Sequence, residues 1–149
     1  MKEEVRIKNK KAFFEFSFSD KFIAGIMLKG TEIKSIRQGK ASITESFCVL
    51  QNNEVFIRNM QVQEYEKASF YNHAPKRDRK LLLQATEIKK IEVRMRDAGI
   101  ALIPLQLFIN EKGLAKLEIG LGKGKKIHDK RDAIKDRDLK RELMRKVRK

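Results

Sequence analysis

The chain of 149 residues contains no tryptophan, one cysteine, two prolines and two histidines. A lone cysteine, Cys48, excludes an intrachain disulfide and suits a reducing cytosol. His73, His128 and Cys48 are far apart, with no CxxC or HxxxH spacing, so neither a metal site nor a cofactor is expected. No nucleophile elbow and no Ser-His-Asp order can be read. Long apolar runs are missing, and Met1 is followed directly by charged residues, so neither secretion nor a membrane span is expected.

Acidic side chains are also scarce. Twenty Asp and Glu stand against 35 Lys and Arg, a net charge of +15. Charge of this size speaks to partners rather than to fold, and the partner it suits is a polyanion. Nucleic acid comes first, an anionic membrane surface second, an acidic protein third.

The positive charge is densest at the C-terminal end, in a tail opened by the stretch Gly120 to Arg131. From Leu121 onward, eight Lys and five Arg face five acids, with no aromatic residue. Such a segment cannot offset its ordering entropy by burial. Residues 123–149 are therefore expected to be disordered alone and helical against a polyanion, with Asp129 as a helix cap and Leu139, Leu143 and Val147 along one narrow line. A plain solvated tail is the level alternative on composition. Gly120, Gly122 and Gly124 invite a phosphate-cradle reading, but no GKS or GKT follows. Glycines freeing the exit of the last strand fit better. His128 beside Asp129 resembles an acid–base pair, yet neighbours in sequence rarely face one substrate atom together. No enzyme is expected.

The remainder, residues 1–122, reads as one mainly β domain. Phe14, Phe16 and Phe18 alternate with polar residues as a first strand. Asp20-Lys21 reads as a turn, and Phe22 to Lys29 as a second strand. Thr31 to Gln38 suits a short helix ended by Gly39. Ile43 to Leu50 and Val55 to Met60 flank an Asn-rich hairpin turn. Glu64 to Asn72 is polar and ambiguous, and His73 to Asp78 a loop. Arg79 to Gln84 could begin a helix, with Ile88, Ile91 and Met95 on one face of another that Gly99 closes. Ile100 to Ile103, Leu105 to Ile109 and Leu114 to Leu121 return to strands, Pro104 marking an end, edge or bulge. About six short strands with connections too short for parallel crossovers imply a closed antiparallel barrel of the oligonucleotide-binding kind, helices outside. The run Lys76 to Lys80 places four cations before the expected helix, where an anion contact is as plausible as a solvated surface. Lys34, Arg37 and Lys40 give positive positions around the short helix.

Three stretches together resemble the SsrA-binding protein family, also called small protein B. They are Gly30 to Arg37 with Gly39-Lys-Ala41, Arg79 to Leu83, and Gly124 to Arg131 with Ile134, Lys135 and Arg137. The resemblance runs from about Asn9 to Arg137. It implies an oligonucleotide-binding-like barrel that holds the tRNA-like domain of transfer-messenger RNA (tmRNA) and brings it to ribosomes stalled on messages without a usable stop codon. It also implies a tail that folds in the empty messenger channel and decoding centre. Asn9 and Leu82 match family RNA-contact positions, and Gly124, Lys125 and Lys126 a stretch linked to accommodation. His128, Asp129, Lys130, Arg131, Ile134, Lys135 and Arg137 match positions that engage the small subunit. Lys10, Lys11, Lys34, Arg37, Lys40, Arg77, Arg79, Lys80 and Lys123 complete the expected RNA surface of a cytoplasmic monomer. Many members carry Glu where this chain has Ile23, so Ile23 receives no role. The competing readings are a general RNA-binding or ribosomal protein, then a nuclease using His128 and Asp129, then a membrane-surface binder.

Overall fold

The computed structural model describes residues 5–68 and 71–125. Asn9 starts the first helix: its side chain accepts from the Ala12 amide, capping α1 (Lys10–Glu15) behind the short strand β1 (Arg6–Lys8). β2 (Phe16–Ile26) leads to α2 (Gly30–Arg37), whose Glu32 carboxylate accepts from the Lys29 amide at 2.8 Å. Gly39 ends that segment at φ 74°, a conformation open to glycine. β3 (Ala41–Ser42) pairs with β6 (Gln61–Val62) as a small side sheet. Between them, β4 (Phe47–Gln51) and β5 (Glu54–Arg58) form a hairpin turned by Asn52 and Asn53, both at positive φ. β7 (Arg79–Leu82), α3 (Ala85–Arg94), β8 (Ile100–Ile109) and β9 (Ala115–Gly124) complete the order.

Hydrogen bonds run β8-β4-β5-β7-β2-β9 and back to β8, every pairing antiparallel. This is the closed barrel expected, with β1 added along β8. The β4–β8 seam is its narrowest closure, a single pair, Cys48 opposite Leu102. Phe22, Ala24, Ile26, Ile57, Leu81, Leu107, Leu117, Ile119 and Leu121 fill the interior.

Two bulges shape the wall. The β2–β9 register shifts between Phe18 and Asp20, which inverts the side-chain alternation. Before the shift, Phe16 and Phe18 pack outside the barrel with Ala12, Ile103 and Leu105; after it, Phe22, Ala24 and Ile26 point inward. The expected turn at Asp20-Lys21 is therefore a bulge within one eleven-residue strand. The second shift, between Pro104 and Gln106, lets β8 pass through the proline, which has no N–H to give the ladder.

Three other expectations are corrected. Phe14 lies on α1 rather than a strand, because the Asn9 cap starts a helical turn that holds Phe14 71 % exposed. Arg79 to Leu82 is strand β7, its alternate residues Arg79 and Leu81 buried, and the helix begins only at Ala85. Ile43 is buried in the connection ahead of β4, which starts at Phe47.

Candidate nucleic-acid interface

Beyond the bulge, the outward positions of β2 are Lys21, Ile23 and Gly25, paired with Gly120, Glu118 and Lys116 of β9. On the other side, β7 turns Lys80 and Leu82 outward, Leu82 opposite Gly25. Ile23 and Leu82 are each about half exposed. A side chain on Gly25 would meet Leu82 Cβ at 3.4 Å and the Lys116 ammonium at 3.7 Å, so the missing Cβ keeps this floor shallow. Lys80 leans on Glu54 at 3.2 Å. The result is a small apolar floor of Ile23, Gly25 and Leu82, with Lys21, Lys80 and Lys116 around it and Glu118 opposite Ile23. The sequence reading missed Lys21 and Lys116 here; the signal was their place in strict alternation with core residues.

The four cations of Lys76 to Lys80 do not form a free anion cradle. Arg79, wholly buried, donates Nε to the fully buried Glu32 and its other nitrogens to the carbonyls of Met60 (2.8 Å), Arg77 (2.9 Å) and Pro75 (3.3 Å). Arg77 donates to the second Glu32 oxygen at 2.6 Å. Burial alone would raise the Glu32 carboxyl, but the bonds from Arg77 and the Lys29 amide and the charge of Arg79 outweigh it and hold it below the usual carboxylate range. Arg79 thus fixes the loop before β7 to α2. The carboxylate that removes it from the surface sits 47 positions earlier, beyond the reach of local charge counting.

Asn9 is likewise buried. Its amide nitrogen donates to the carbonyls of Pro104 (2.9 Å) and Ile43 (3.3 Å), clamping α1 to the β8 bulge. Lys10 is exposed beside it, while Lys11 is paired with Glu45 at 3.0 Å. Around α2, Lys34 lies over the Tyr65 ring at 5.5 Å, Arg37 donates to the Gly113 carbonyl at 3.2 Å, and Lys40 meets Glu66 at 3.3 Å.

The family model for the SmpB protein matches residues 6–149. The chain belongs to the SmpB family. Curated SsrA-binding proteins resemble it over nearly their whole length: 56 % identity in Christiangramia forsetii (96 % of this chain, 91 % of the relative) and 53 % in Cytophaga hutchinsonii (96 % and 94 %). A chain solved under the description "tmRNA-SmpB: a journey to the center of the bacterial ribosome" superposes with a TM-score of 0.71 at 36 % identity, covering 87 % of this chain and 94 % of that one.

Within this SmpB-family frame the glycines near the tail have a packing role. A Cβ on Gly122 would stand 2.8 Å from the Phe18 ring, and one on Gly120 equally close. They are a flat bed for Phe18, neither a phosphate cradle nor a loosened strand exit. β9 stays paired through Lys123 and Gly124, and the Lys125 amide donates to Glu15 at 2.9 Å while its ammonium lies over Phe14 at 5.8 Å. Lys126, His128, Asp129, Lys130, Arg131, Ile134, Lys135 and Arg137 lie outside the described residues. Among the described residues, no group of His, Cys, Asp and Glu could hold a metal, and no helix is long and apolar enough to cross a membrane.

Proposed function

We propose that this chain binds the tRNA-like domain of tmRNA, the SsrA RNA, and delivers it to stalled ribosomes for trans-translation. The barrel grips folded RNA by shape and backbone, and the tail, residues 123–149, enters the vacant messenger channel and decoding centre. One observation carries this reading: the family match takes in barrel and basic tail as a single unit, and the relatives it resembles are named for SsrA binding.

In this reading Lys10, Lys34, Arg37, Lys40, Lys80, Leu82, Lys123, Gly124, Lys125 and Lys126 face RNA, joined by Lys21 and Lys116. Asn9 and Arg79, with Arg77, serve recognition by setting the shape of the surface. His128, Asp129, Lys130, Arg131, Ile134, Lys135 and Arg137 engage the small subunit. The chain works in the cytoplasm as a monomer, by binding rather than catalysis and without a cofactor.

A translation reaction stalled on a message lacking a stop codon tests this. The full chain with tmRNA should restore tagging of the nascent peptide. A chain ending at Lys125, which keeps all of β9, should bind the RNA and fail to restore tagging. Tagging by the shortened chain, or none by the full chain, overturns the reading.

A further inference from the structure

Between β6 and β7 none of the described residues is strand or helix, yet several are held closely. Asn72 donates its amide to the Tyr65 carbonyl at 2.9 Å and accepts from the amides of Tyr65 and His73, both at 3.1 Å. His73, buried, bridges the Thr31 hydroxyl of α2 and the Val62 carbonyl, each at 2.9 Å. Because a carbonyl only accepts, Nε2 donates to Val62, which leaves Nδ1 to the Thr31 hydroxyl. At the loop's foot, the Val62 amide donates to Pro75 and the Gln63 amide to Lys40.

These bonds hold Asn72 and His73, directly after Tyr71. Tyr71 is 89 % exposed, the most exposed large apolar side chain among the described residues. A tyrosine presented to water next to held residues does not fill the core. At the base of the same loop Lys34 covers Tyr65, whose backbone is bonded to Asn72; along the segment Lys67 and Lys76 are exposed, as are Glu64, Glu66 and Asp78. An exposed ring on a chain of net charge +15 suits a stacked nucleobase.

We infer that Tyr71 is a stacking platform for an unpaired base of the bound RNA, extending the α2 surface onto the loop. This rests on the tmRNA reading above. Tyr71 makes its contact through the ring face, so phenylalanine serves equally and aliphatic residues do not.

The full chain is titrated with a transcript of the tmRNA tRNA-like domain. Tyr71→Phe should bind like the original, and Tyr71→Ala about tenfold more weakly, with an unchanged salt slope because no phosphate contact is lost. An unchanged melting temperature for Tyr71→Ala shows that the loss is not one of folding. The chain has two tyrosines and no tryptophan, so Tyr65→Phe leaves Tyr71 as its only tyrosine emitter. Its emission should be quenched as RNA is added. Wild-type affinity in Tyr71→Ala, or unquenched emission at saturation, overturns the inference. Failure of the unaltered chain to bind the transcript would instead count against the tmRNA reading.

Discussion

Glu32 and Arg79 form an ion pair with neither side chain exposed, joining α2 to the strand that carries Leu82. Removing one partner strands a buried charge, which costs about 3–5 kcal/mol. Glu32→Gln should therefore lower the urea midpoint sharply. The pair also sets an acid limit. With its carboxyl held below the ordinary value near 4.3, Glu32 adds stability that is fully present above that pH and is lost as pH falls through the lower, folded-state value. The acid limb of the stability curve should be flatter in Glu32→Gln; an identical limb would show that Glu32 does not contribute to it.

Gly122→Ala should destabilise the barrel by roughly 1–3 kcal/mol, through overlap with Phe18. Combining it with Phe18→Ala should cost less than the sum of the two single changes, since the second removes the obstacle. Additive losses in a double-mutant cycle would contradict the packing role.

Asn9→Asp keeps the shape and the cap acceptor but turns an oxygen toward the Pro104 and Ile43 carbonyls. The Ile43 carbonyl keeps its bonds from Ser46, but two donations are lost and an oxygen is set against two carbonyl oxygens, at about 1–3 kcal/mol. Thermal unfolding without RNA should show the loss. An unchanged melting temperature together with weakened RNA binding would mean that Asn9 acts directly on RNA.

Cys48 faces the narrow β4–β8 seam, and burial pushes its thiol far above the usual range. Thiol reagents at neutral pH should leave the native chain unmodified and react promptly in denaturant. Rapid labelling of the folded chain would show that the seam opens.

The barrel was legible because its strands alternate cleanly and its connections are short. What sequence could not resolve was phase. Phe16, Phe18, Phe22, Ala24 and Ile26 all fall on even positions across Ser19, so a pattern of period two reads alike for a turn between strands and a bulge within one. The site was half legible. Leu82 and the cations in and after α2 could be named, but Asn9 and Arg79 are polar residues whose partners come from distant segments. Nothing local distinguishes such a residue from a surface contact.

The most direct test is competition binding by the chain that ends at Lys125. Labelled tRNA-like domain of tmRNA is bound, then challenged with unlabelled bulk tRNA across a salt series. The barrel alone should hold its RNA against excess tRNA, with affinity falling steeply as salt rises. Equal displacement by tRNA, or no binding without the tail, would contradict the account.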